Sequence, residues 1–120
     1  MITLYGIPNC DSVKKAKRWL DNHQLEYSFH NFKKQGVPVT EARRWLNEAG
    51  AEVVINKKGT TWRKLPASRQ SDAETPEKAL SLITENSSLI KRPVITAGKL
   101  LLVGFDEQLM EDMKSTLAAS

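Results

Sequence analysis

The chain has 120 residues, 40% hydrophobic and 27% charged, with a net charge of +4 and one cysteine. That is the composition of an ordinary folded protein with room for one core, and no apolar run approaches the ~20 residues needed to span a bilayer. One cysteine excludes an internal disulfide, and with two scattered histidines it makes no zinc cluster.

A reducing, cytoplasmic setting is expected, because a secreted chain this small is more often stapled by disulfides. Met1–Pro8 has neither a basic leader nor an apolar run, so no signal peptide is expected and no membrane partner. The acidic residues Asp21, Glu26, Glu41, Glu48 and Glu52 interrupt the basic ones. The charge therefore reads as a mixed solvated surface, with no direct nucleic-acid binding. Lys14, Lys15, Lys17 and Arg18, with Arg63 and Arg92, still suit an acidic small molecule.

Ile2–Tyr5 alternates β-branched and aromatic residues and predicts a strand, ended by Gly6-Ile7-Pro8. From Asp11 to His23 the period is helical, with Val13, Ala16 and Leu20 on one stripe and Trp19 beside it. Glu26–Asn31 predicts a second strand. Strand, helix and strand make a βαβ unit, whose parallel pair is expected at the centre of the sheet.

Thr40 is a candidate cap for a helix carrying Ala42, Trp45, Leu46 and Ala49, ended by Gly50. Val53–Ile55 is too short to classify by period, and Asn56–Gly59 reads as a turn. Thr75-Pro76 opens another helix, to about Asn86, with Ala79, Leu82 and Ile83 inward. Val94–Thr96 and Leu100–Val103 flank Ala97-Gly98-Lys99 as a hairpin. Asp106 then caps a last helix whose inward face is Leu109, Met110, Met113 and Leu117. The fold class is α/β, a four-stranded mixed sheet with helices on both faces.

Cys10 falls between the first strand and the first helix, after Ile7-Pro8-Asn9. The opening N–H groups of a helix lack partners and carry the positive end of its dipole. A thiol there is expected to ionise below its free value of about 8.5, and the thiolate is the nucleophile. A buried, inert cysteine is the competing reading. The polar neighbours Asn9, Asp11 and Ser12 favour the reactive one. Arg92-Pro93 opens the hairpin, where a proline must start a strand or occupy an unusual turn, and a cis bond is open to it. Arg63 and Arg92 suit a carboxylate or oxyanion, against the bland reading of surface arginines. His23 and His30 read as a helix-end and a strand-surface residue. Trp19, Trp45 and Trp62 read as core or groove-lining aromatics.

The stretch from Leu4 to Ala16, LYGIPNCDSVKKA, resembles the start of the arsenate-reductase-like group of thioredoxin-fold proteins, ArsC, Spx and YffB. Asn56–Leu65 (NKKGTTWRKL) and Ile90–Ile95 (IKRPVI) resemble later motifs of that family, in order, so the likeness spans essentially the whole chain. The first motif looks most like the YffB branch. The resemblance implies a glutaredoxin-like core over about residues 1–32 and 88–117, with a helical insertion at about 38–87 between strands two and three. It also implies Cys10 as nucleophile, Pro93 as a cis-proline facing it, and Arg63 and Arg92 lining the site. Asn9 and Ser12 complete the expected substrate and glutathione site.

Arsenate reductases of this type use a third arginine a dozen or so residues past the Arg-Pro, and Leu100–Phe105 contains none. Spx regulators commonly carry a C-x-x-C switch, and its second position here is Val13. The family therefore implies a glutathione-dependent thiol reductase with glutathione as co-substrate and no bound cofactor or metal. The alternatives are an oxyanion reductase, or a non-catalytic Spx-like adaptor whose partner is RNA polymerase.

Overall fold

The computed structural model describes residues 1–119. In chain order the elements are β1 (Ile2–Gly6), α1 (Asp11–Asn22), β2 (Tyr27–Asn31), α2 (Phe32–Gln35), α3 (Val39–Ala49), α4 (Ala51–Val54), α5 (Thr60–Lys64), α6 (Ala67–Gln70), α7 (Pro76–Glu85), β3 (Val94–Ala97), β4 (Leu100–Val103) and α8 (Glu107–Ala118). Two 3-10 turns, Ser71–Glu74 and Ser87–Leu89, flank α7. The chain divides into two compact units: Met1–Asn31 with everything from Arg92 onward, and Phe32–Lys91.

The first unit holds the mixed four-stranded sheet, in the order β2-β1-β3-β4. β1 runs parallel to β2 and antiparallel to β3, and β3 and β4 form the hairpin. The parallel pair is thus not at the centre, as the βαβ unit alone suggested. β2 is an edge strand, and the central pair is the antiparallel β1–β3. The physical reason is that the hairpin adds to the free side of β1, and β2 is left at the rim with its side chains half-buried or exposed.

Side chains alternate across a strand, so the register sorts the faces. Ile2, Leu4, Ile95, Ala97 and Leu102 share one face and are buried against Val13, Ala16, Trp19 and Leu20 of α1 and Met110 and Met113 of α8. Each fully buried aliphatic side chain here is worth about 1.5–3 kcal/mol. The stripe expected for α1 is the stripe it buries. In α8 the inward face is narrower than expected, because Leu109 is 44% exposed. It lies in the first turn, where its N–H takes the Asp106 cap, and Met110 and Met113 carry the packing.

In the second unit α3 packs on α7, with Ala42, Trp45, Leu46, Ala79, Leu82 and Ile83 fully or nearly fully buried. α3 starts at Val39 rather than after a Thr40 cap, since Pro38 takes the N-cap position in extended backbone. Thr75 holds the N-cap of α7 with Pro76 behind it, but its side chain makes no capping bond. Val53–Ile55 splits between two structures. Val54 ends the single turn of α4, while Ile55 forms an isolated antiparallel bridge with Ile90. No helix among the described residues is long and apolar enough to cross a membrane.

Candidate active site at the start of the first helix

β1 delivers the chain to Gly6, the Pro8-Asn9 turn follows, and Cys10 is the N-cap of α1. Gly6 fixes how closely the helix approaches. A Cβ at this position would stand 2.6 Å from Cγ2 of Val13, so only glycine lets the first turn of α1 sit against the strand end. Cys10 is extended (φ −126°, ψ 124°), and its carbonyl accepts the Lys14 N–H at 2.9 Å. The residue is half-buried and packs against the edge of the core.

The N–H groups of Asp11, Ser12 and Val13 donate to no acceptor among the described residues. Three open donors beside the thiol, on a helix of 12 residues, suit a thiolate or an oxyanion. Asn9 is exposed in the turn, Ser12 is half-buried in the first helical turn, and the exposed Asp11 carboxylate precedes it.

The Arg92–Pro93 peptide bond is cis. Tyr5 pairs with Val94 and Val94 with Val103, so Gly6, Pro93 and Gly104 lie at one end of the sheet, the end from which Cys10 follows. Pro93 is buried, and its carbonyl accepts the Gly104 N–H at 2.7 Å. Gly104 has φ +83°, a conformation that disfavours any side chain. The half-buried Arg92 makes no hydrogen bond or ion pair among the described residues, through its guanidinium or its backbone.

The structure thus brings Asn9, Cys10, Ser12, Arg92 and Pro93 to one end of the sheet. Arg63 lies in the second unit, exposed on α5, and its guanidinium has no ion-pair partner among the described residues. The neighbouring Trp62 has Lys57 Nζ 5.3 Å from its ring centroid. His23 is the C-cap of α1. Its Nδ1 is 2.8 Å from the Trp19 carbonyl, and its ring stacks on Trp19 at 3.9 Å. His30 lies on β2 with its ring 5.2 Å from that of Tyr5, on the face away from α1. No group of three His, Cys, Asp or Glu among the described residues could hold a metal ion. Two site features escaped the sequence reading: the steric role of Gly6 and the tie from Gly104 to Pro93. A glycine ending β1 and another directly after β4 were the available signals.

The profile of the ArsC family matches residues 5–113. The chain belongs to the ArsC family. An uncharacterised Haemophilus influenzae protein is 40% identical over 108 residues, covering 90% of this chain and 94% of that one. The global transcriptional regulator Spx 1 of Lactococcus lactis is 36% identical over 109 residues, covering 89% of this chain and 84% of its own length. Among solved structures, a YffB protein superposes with a TM-score of 0.88 at 41% identity, covering 93% of this chain and 97% of that one. The ArsC-family motifs read from the sequence therefore lie on the elements just described, with Cys10 at the N-cap of α1 and Arg92-Pro93 entering β3.

Proposed function

We propose that this ArsC-family protein is a glutathione-dependent thiol reductase that works through Cys10 in a reducing, cytoplasmic setting. One observation carries the reading: the chain's single cysteine caps α1 beside three open N–H donors, at the sheet end shared with Arg92 and Pro93. Open N–H donors at a helix start suit an anionic group of a bound substrate, and the thiolate is the form of cysteine that attacks sulfur.

With no second cysteine, the cycle needs an external thiol. The Cys10 thiolate attacks the glutathione sulfur of a glutathionylated substrate. The substrate S–S bond breaks, a Cys10–glutathione disulfide forms, and the substrate leaves as a thiolate that takes up a proton. A second glutathione thiolate then attacks the glutathione sulfur of that mixed disulfide, releasing oxidised glutathione and the Cys10 thiolate. The substrate gains two electrons, and glutathione supplies them.

Pro93 has no N–H, and its carbonyl already accepts from Gly104. A backbone donor for the cysteinyl part of glutathione is therefore assigned to the N–H of Arg92, which is open among the described residues. The Arg92 guanidinium is assigned a glutathione carboxylate. The same assignment for Arg63 rests on the family resemblance alone. Asn9 and Ser12 flank the thiol and complete the binding surface.

The deciding experiment follows reduction of a glutathionylated small disulfide by glutathione, with wild type and Cys10→Ser. Wild type turns over and Cys10→Ser does not. Full turnover by Cys10→Ser overturns the mechanism. The absence of arginine from Leu100–Phe105 weighs against arsenate as the substrate. A second reading, an Spx-like adaptor for RNA polymerase, is favoured by the 36% identity to Spx 1. It predicts a stable complex that survives Cys10→Ala.

A further inference from the structure

A cleft of about 320 Å³ opens beside α1, lined by Lys15, Arg18, Trp19 and Asn22 of that helix and by Phe105 and Glu107 at the approach to α8. The four α1 residues recur at helical spacing and share one side of the helix. Trp19, 8% exposed, and the half-buried Phe105 give the cleft an aromatic floor. Lys15 and Arg18 are exposed at its rim, and neither makes an ion pair among the described residues, although Glu107 lines the same cleft. Two unspent cations over an aromatic floor, facing one carboxylate, suit an anionic group attached to an apolar body.

Its position relates it to the thiol. An α-helix rises 1.5 Å per residue, which puts Lys15 about 7.5 Å and Arg18 about 12 Å along the axis from Cys10. Phe105 stands two residues past Val103, at the sheet end from which Cys10 follows, and both residues pack against one core cluster. An extended peptide advances about 3.3 Å per residue, so the axial rise alone takes two to four residues, the least separation at which one peptide reaches both thiol and cleft.

We propose that this cleft selects the substrate of the Cys10 reaction: it takes an acidic side chain, with an apolar neighbour, two to four residues from the glutathionylated cysteine of a peptide or protein. The inference rests on the reductase reading and adds the class of substrate. The leaving thiolate is then that of the peptide, and the cleft positions the peptide while glutathione is transferred to Cys10.

The test uses three synthetic glutathionylated peptides that differ only at the third residue from cysteine, which is Glu, Ala or Lys. With wild type, KM is lowest for Glu and at least about tenfold higher for Lys, with kcat little changed. The preference weakens as salt screens the charges. The double variant Lys15→Glu/Arg18→Glu inverts the order and prefers the Lys peptide. Wild type that reduces all three peptides with the same KM overturns the cleft and leaves the reductase standing. Wild type that reduces neither the peptides nor a small glutathionylated disulfide overturns both.

Discussion

Replacing Gly6 by alanine sets two effects of opposite sign against each other. Gly6 is not among the glycines with positive φ, so its backbone tolerates a side chain. Reduced freedom in the unfolded chain would then stabilise alanine by about 0.4–1 kcal/mol. Against that, the new methyl would stand 2.6 Å from Val13 Cγ2, where carbon atoms prefer about 3.5–4.0 Å. Val13 is fully buried and β-branched on a helix, so it has little freedom to turn aside. The start of α1 must move, and overpacking of this kind costs about 1–3 kcal/mol. The clash wins, for a net loss of about 1–2 kcal/mol.

Urea unfolding followed by tryptophan fluorescence reads this directly. For a typical slope of about 1–3 kcal/mol per molar, the midpoint falls by roughly 0.3–2 M. The double variant Gly6→Ala/Val13→Ala should be no less stable than Val13→Ala alone, because the clashing methyl groups are gone. An unchanged or raised midpoint for Gly6→Ala refutes the steric argument. So does strict additivity in the double variant.

Asp106→Ala removes the carboxylate that accepts the Leu109 N–H at 3.1 Å and should cost about 0.5–2 kcal/mol in thermal unfolding, with Asp106→Ser recovering most of it. Burial, and secondarily the Asp21 carboxylate, raise the Tyr27 phenol above its ordinary 10.0. The unfolded chain therefore ionises first: stability from this group is intact below about pH 10 and is lost as pH rises through the folded value. Tyr27→Phe should flatten that alkaline loss. Asp21→Asn should bring the Tyr27 midpoint part of the way back in an ultraviolet difference titration, and an unmoved midpoint removes Asp21 from the account.

What the sequence made legible was local and periodic. The buried stripe of α1, the turn at Gly98 and the Asp106 cap each depend on residues a few positions apart, so the chain announces them. The position of Cys10 was readable for the same reason, since a strand, a proline and a helical period are adjacent in sequence. Strand order was not readable, because the hairpin could have joined the free edge of either β1 or β2. Single-turn helices such as α2, α4 and α6 are too short to show a 3.6-residue period. Val53–Ile55 was ambiguous for that reason. The cleft beside α1 was hidden because Lys15 and Arg18 meet Phe105 and Glu107 only once the register of β1, β3 and β4 is set.

The central strand of the sheet has a consequence for how the molecule is made. β1 pairs on one side with β2, which follows it closely, and on the other with β3, where Ile2 faces Ala97. All of Phe32–Lys91 must be translated in between. At about 5–20 residues per second that interval lasts several seconds. Throughout it the nascent chain holds its only thiol next to a strand with one unpaired edge, before Pro93 has been added. For that interval the edge of β1 that will receive β3 has no partner, and an unpaired strand edge is the part of a sheet most open to pairing with another chain.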